Sequence, residues 1–386
     1  MVRREIIILS TLNTHLSTSA SLTEQLDSVL SLTHGVCFHR RRRFSRTALR
    51  THMDKTELRL DPLTRDWTIF NESRALPPTT PSVRDDVLAE SPFRAGLESF
   101  AAHALHHSAG ESGWQVRVVP NRLPVLRVEG DSKAQADGLY EHLDAVGANE
   151  IVIEDPGTRS LEELPPGAIA QVIRAWAVRI EDLMRDARLR SFTVVKSTGR
   201  AAGQTVAHSL SQIIAMAVVP PALRRKLRHA REHFAHRKRS LFADIIEHER
   251  RNASRVVHEN ADFFVFCPYA ATAPFELAIW PKRQCPDFHE LTHEEADHLA
   301  LALGLALRKL NRAINHPPYH LTLTTAPSRA ISPEDWETLE HDFRWHINIT
   351  PVLRPPDALP AATGCHVNGI WPEVAADYLR SLPDAP

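Results

Sequence analysis

The sequence predicts an α+β fold in which two similar halves share one antiparallel sheet flanked by helices. Three observations carry this. Short runs alternate apolar and polar residues, as half-buried strands do. Two much longer stretches, one in each half, space their apolar residues as amphipathic helices do. The order of strands, long helix, strand and then a histidine-bearing strand recurs, and two such halves around one sheet are the economical architecture.

The elements follow in chain order. "TELRLDPLTRDWTIF" alternates around a proline-led turn, as in a hairpin, and "RALPPTTPSVRDD" reads as a surface loop. "GWQVRVVPNRLPVLRV" predicts strand, turn, strand, and "NEIVIED" a further short strand. In "SLEELPPGAIAQVIRAWAVRIEDLMRD", Ile169, Val172, Ile173, Trp176 and Ile180 can share one helical face. "SFTVVKSTG" is a strand leading into "AGQTVAHSLSQIIA". The second half opens with a basic helix, "RRKLRHAREHFAHRKRS", followed by strands "DFFVFCPY" and "FELAIWP". "LTHEEADHLALALGLALRKLNRAI" is a long amphipathic helix with Thr292 and Glu295 in capping-box spacing, and "YHLTLTTAP" and "RWHINITPVL" are strands.

Bulk properties narrow the function classes. The 386 residues are 43% hydrophobic and 24% charged, values of an ordinary globular chain. A formal net charge of −1 gives no general field for nucleic acid or an anionic membrane, so neither is expected as a partner. No apolar run reaches the roughly 20 residues needed to span a bilayer. Cys37, Cys267, Cys285 and Cys365 form no Cys-x-x-Cys pair, which fits a reducing, cytoplasmic setting. Residues 1–52 are Ser/Thr-rich and hold the run Arg40 to Arg43. They read as a disordered extension, or as sequence preceding a start at Met53.

Six motifs in order, "ELRLDPLTRDW", "VRVVPNRLPVL", "GANEIVIEDP", "GRAAGQTVAHSLSQIIA", "CPYAATAPFELAIWPKR" and "WHINITPVL", resemble the galactose-1-phosphate uridylyltransferases. These form the two-repeat branch of the histidine-triad superfamily. The resemblance covers roughly residues 53–386. It implies a histidine-triad-like repeat over 53–217, a second over 218–386, and a homodimer. By the same resemblance the chain handles a UDP- or ADP-hexose and a hexose 1-phosphate, as in galactose metabolism.

Residue by residue the resemblance is uneven. Phosphate-side positions fall on Ser197, Gly199, Gly203, Thr205 and Gln212, and the nucleoside-side asparagine on Asn121. The family's His-x-His-x-Gln reads His208-Ser209-Leu210-Ser211-Gln212, so its nucleophile position is Leu210. An aliphatic side chain has no lone pair to capture phosphorus, whereas covalent nucleotidyl transfer requires an imidazole there. Ser209 and Ser211 point to the opposite strand face; Ser211 joins the candidate phosphate contacts only through a register slip or bulge.

The family's metal positions fall on Ser91, Arg94, Asn149 and His208 in the first half and on Gln284, Arg344 and His346 in the second. These donor sets are poor for zinc or iron, so no metal cofactor is expected. Near the C-terminus, Thr363-Gly364 and Asn368 match the family, whereas Pro360 replaces a glutamate of the hexose loop. Two readings result. One is a nucleotidyltransferase by descent; the other is a degenerate, metal-free homologue that binds a nucleotide or sugar phosphate without covalent transfer.

Three further features favour bland readings. His293 and His298 are five residues apart, which suits helix capping and a solvated face better than a zinc helix. The basic helix reads as solvated or partner-facing rather than as a nucleic-acid binder. His341 and Asp342, taken as strand neighbours, face apart.

Overall fold

Alternation sets the strands, and the strands build the sheet that carries the site. The computed structural model describes residues 56–71, 91–93, 104–110, 113–330, 336–354 and 358–384. The N-terminal extension, the proline-rich loop and Arg94 lie outside the described residues.

Strands β1 (Thr56–Leu60) and β2 (Trp67–Asn71) form the expected hairpin. The first half then supplies β3 (His106–Gly110), β4 (Gly113–Pro120), a small exposed hairpin of β5 (Gln135–Asp137) and β6 (Tyr140–His142), β7 (Gly147–Ile153), β8 (Ser191–Thr198) and β9 (Leu210–Met216). Helix α1 (Pro166–Leu183) joins β7 to β8. The second half begins with α2 (Pro221–Arg237) and α3 (Leu241–Asn252). It continues through β10 (Val256–Glu259), β11 (Phe263–Phe266), β12 (Leu277–Pro281), α4 (His293–Ile314), β13 (Tyr319–Thr324), a single turn α5 (Leu339–Asp342) and β14 (His346–Pro351). Helix α6 (Ala358–Thr363), β15 (His366–Asn368), which pairs parallel to β2, and α7 (Pro372–Ser381) close the chain.

Ten strands form one antiparallel sheet in the order β10-β11-β12-β14-β13-β8-β9-β7-β4-β3. Each half contributes five, and they meet at β8 and β13, where Thr193 lies opposite Thr324 and Ser197 opposite His320. One face is covered by α1 and α4. The stripe Ile169, Val172, Ile173, Trp176 and Ile180 is fully buried there with Leu299, Leu303 and Leu310. Each such side chain contributes about 1.5–3 kcal/mol relative to exposure. Thr292 caps α4 through the Glu295 amide, and the reciprocal contact from Glu295 completes the box.

The other face is covered only at its β11–β12–β14 end. There Leu227 of α2 and Phe242 and Ile246 of α3 pack on Phe264, Phe266, Trp280 and Phe343. Over β9, β8 and β13 this face is more open among the described residues, with Gln212 and His320 exposed, whereas Asn149 and Ile153 of β7 on the same face are buried.

Two sequence expectations fail. "GWQVRVVPNRLPVLRV" yields one strand, because the chain leaves the sheet after Pro120. Pro124 lacks a ladder donor, and Leu123 and Val125 stand exposed rather than on a buried face. His341 and Asp342 sit on the helical turn α5, not on a strand; His341 stacks on Phe234 and Asp342 accepts from the Thr338 hydroxyl. Helices α3 and α7 were not anticipated. Leu241, Phe242, Ile245 and Ile246 do follow helical spacing in α3, but over only 12 residues.

Candidate functional site

Strand β9 presents the motif "HSLSQ" to two different environments. On the helix-covered side, the Ser211 hydroxyl accepts from the Trp176 indole N–H at 2.9 Å and is buried. Ser209 lies on that side as well. Its hydroxyl donates to Glu154 at 2.6 Å and accepts from Lys196 at 2.9 Å, while Lys196 and Glu154 form a buried ion pair at 2.7 Å. Ser211 therefore leaves the set of candidate phosphate contacts: no bulge interrupts the β7–β9 register, and its oxygen is tied beneath the sheet.

The open side carries Leu210 and Gln212, and the register arranges its side chains in rows. One row runs Ile151, Gln212, Val195, Thr322, Asn348. Leu210 and Ser197 lie two residues beyond the Val195–Gln212 pair, in a row with Ile153, His320 and Thr350. His320 thus stands two strands from Leu210, about 10 Å away by strand spacing. The Ser197 hydroxyl lies 3.3 Å from its Nδ1, and desolvation holds the imidazole below its ordinary pKa. Sequence reasoning named Ser197 but missed His320, although the alternation in "YHLTLTT" places it on the face of Thr322 and Thr324.

An amide relay orients Gln212. Asn121 Nδ2 donates to Asn149 Oδ1 at 2.8 Å, and Asn149 Nδ2 donates to Gln212 Oε1 at 3.0 Å. With its oxygen engaged, Gln212 presents its two N–H donors to the open face, the polarity needed to meet a phosphoryl oxygen. Asn121, Asn149 and Gln212, three separate sequence candidates, are brought together here.

The glycine loop does less than expected. Gly199 and Gly203 have φ of 82° and 94°, conformations that favour glycine. Yet the amides of Ala202, Gly203 and Gln204 donate to loop carbonyls, and the Gly199 amide donates to Gln204 Oε1 at 2.6 Å. These donors are spent inside the loop. Thr205 remains exposed beside it. In the C-terminal segment, Thr363 bonds back to Leu359 within α6, and the buried Asn368 holds the Ala271 carbonyl. Neither reaches the open face through those bonds.

Of the first-half metal positions, Arg94 lies outside the described residues, and the Ser91 segment meets His208 through the Phe93 ring, 6.5 Å away and edge-on. His208 is buried, with Nε2 2.6 Å from the Asp155 carbonyl, while the Ser91 hydroxyl accepts from the Phe93 amide. Asn149 is not with them. It lies opposite Ile214, six residues back along β7 from Asp155, about 20 Å at strand rise.

The second-half positions do assemble, as a cation-rich knot. Arg344 donates to the carbonyls of Pro281 and Lys282 and, at 3.1 Å, to Gln284 Oε1; Gln284 in turn donates to the Phe343 carbonyl. His346 Nδ1 donates to the Arg344 carbonyl, so its Nε2 lone pair accepts from Lys226 at 2.7 Å. Burial lowers Arg344 to about 10 and Lys226 to about 8, and burial together with the Lys226 ammonium keeps His346 well below its usual range. A guanidinium, an ammonium and an imidazole with an engaged lone pair do not fit a divalent metal. Among the described residues, no three His, Cys, Asp or Glu side chains are grouped to hold an ion.

Comparison with known proteins gives the kinship. Residues 226–354 match the family model of the galactose-1-phosphate uridyl transferase C-terminal domain. An ADP-glucose phosphorylase from Arabidopsis thaliana is 29% identical over 84% of this chain and 93% of its own. A galactose-1-phosphate uridylyltransferase from Thermotoga maritima is 24% identical over 84% of this chain and 98% of its own. The crystal structure of an ADP-glucose phosphorylase from Arabidopsis thaliana with bound ADP-glucose superposes with a TM-score of 0.73. That pair is 28% identical and covers 85% of this chain and all of the other. The chain is a relative of the galactose-1-phosphate uridylyltransferases.

Proposed function

From that kinship we propose that this chain binds a nucleotide-sugar or sugar phosphate on the open face of its sheet and does not form a histidine-borne nucleotidyl intermediate. The observation that carries the reading is the geometry of β9. Leu210 shares the open face with Gln212, and both neighbouring serines are tied on the other side. The face keeps donors for phosphate in Gln212, Thr205 and the Ser197–His320 pair. It lacks a nucleophile at the strand position that would attack.

The proposal includes the absence of zinc and iron, because the second-half donor set is cationic and, in the first half, Asn149 lies far from His208 while Ser91 offers only a hydroxyl. It also carries forward a homodimer, from the resemblance, and a cytoplasmic setting, from the sparse unpaired cysteines. No described helix is long and apolar enough to cross a membrane.

Calorimetric titration of ADP-glucose and UDP-glucose tests the binding. At least one should bind, and Gln212→Ala should weaken it about ten-fold or more, the effect of losing a hydrogen bond to a charged group. Binding indifferent to Gln212 contradicts the site. Metal analysis of the purified protein should return substoichiometric zinc and iron.

A transferase reading rests on one observation, the imidazole of His320 on the same face. A nucleotidyl adduct that vanishes in His320→Ala would establish it.

A further inference from the structure

The basic helix α2 has a use that the open face does not absorb. At its N-terminal half the structure holds a cavity of about 260 Å³ whose mouth is set by Arg190, Arg224, Arg228 and Arg231. Three of these project from successive turns of α2, and Arg190 enters from the residue preceding β8, where its amide is fixed to the Met216 carbonyl at 2.8 Å. Among the described residues, no carboxylate lies within salt-bridge distance of Arg190 or Arg224, and Arg228 reaches Glu232 only at 3.9 Å. The one acid in the lining, Asp342, already accepts from Thr338 and is biased toward its neutral form by burial. Asp342 also feels the charge of Arg231, so four cations face one acid, and positive charge prevails in a concave place, where it attracts anions more strongly than on a flat surface.

The inner wall is apolar, with Leu227 and Trp336 facing the same space. An arginine-rimmed mouth over an aromatic and aliphatic floor matches a ligand with two ends. Guanidinium forks take a phosphate, and the hydrophobic wall takes an organic body. A polynucleotide fits less well, because the cavity is of small-molecule size and the whole chain is close to neutral.

We propose that this cavity is a second anion site that binds a small phosphorylated organic molecule, distinct from the open face. Arg190 and Ser197 stand at opposite ends of β8, about 23 Å apart at strand rise. The inference does not depend on the function proposed above.

The test titrates the full-length protein with glucose 6-phosphate, inorganic phosphate, glucose and a short single-stranded DNA, at low and physiological salt. Glucose 6-phosphate should bind in a salt-sensitive manner and glucose should not. Arg224→Ala combined with Arg228→Ala should weaken that binding at least ten-fold, while Gln212→Ala, on the open face, leaves this component intact. Trp336→Ala should weaken glucose 6-phosphate more than inorganic phosphate, which has no body to rest on the wall. Both α2 arginines are exposed, so the double variant should keep its melting temperature; if it does not fold, Arg190→Gln and Arg224→Gln taken singly read the same loss. The proposal is overturned by binding unchanged in the arginine variants, by no binding at all, or by DNA binding more tightly through the same arginines.

Discussion

The two faces of the central sheet were built under different rules, and β9 shows both within four residues. Toward α1, Ser209 and Ser211 are locked into the Lys196–Glu154 pair and the Trp176 indole, beside a continuous apolar core. Away from α1, Leu210 and Gln212 lie beside a relay of amides and the Ser197–His320 pair. The covered face supplies stability. The open face carries Gln212 with its amide oxygen engaged and, at the next position on the same face, the aliphatic Leu210.

The largest effect that would break this contrast comes from Lys196→Met. It strands the buried Glu154 carboxylate and should destabilise the protein by about 3–5 kcal/mol, read as a fall in the denaturation midpoint. Weakened ligand binding with unchanged stability would mean that the pair serves the open face instead. Trp176→Phe keeps the ring but leaves the Ser211 hydroxyl without its donor, for an expected loss of about 1–3 kcal/mol. On the open side the pattern reverses. Gln212→Ala should change stability by less than about 0.5 kcal/mol while lowering affinity. Asn149→Ala sharpens the comparison, since it should lower affinity less than Gln212→Ala does by releasing the orientation of Gln212 rather than its contact.

The smallest effect concerns pH. The Asp262 carboxylate raises the pKa of His298. A group bound more tightly to its proton in the folded state contributes fully below its unfolded pKa, near 6.5, and loses that contribution as pH rises through the raised value. His298→Gln should therefore cost a little stability in mildly acid buffer and nothing measurable above neutrality. The imidazole is surface-placed, so the difference should be slight.

Much of this was legible from the chain. The stripe of α1, the capping box of α4 and the recurrence of strands and helices specify the sheet, because burial at periods of two and near 3.6 is a local property. The opposition of Leu210 to both serines was legible for the same reason. Three things were not. The partnership of Asn149 with Gln212 depends on which strands are neighbours, and a strand's own sequence does not state its neighbour. The closed hydrogen bonding of the glycine loop hinges on the side chain of Gln204, which spacing cannot aim. The pairing of His346 with Lys226 joins residues 120 positions apart, across a helix that reads only as basic.

The most direct measurement is intact-mass analysis after incubation with UDP-glucose and with ADP-glucose, followed by peptide mapping across residues 199–216. The account predicts an unmodified chain under conditions where calorimetry shows the ligand bound. A stoichiometric uridylyl or adenylyl adduct on that peptide would contradict it.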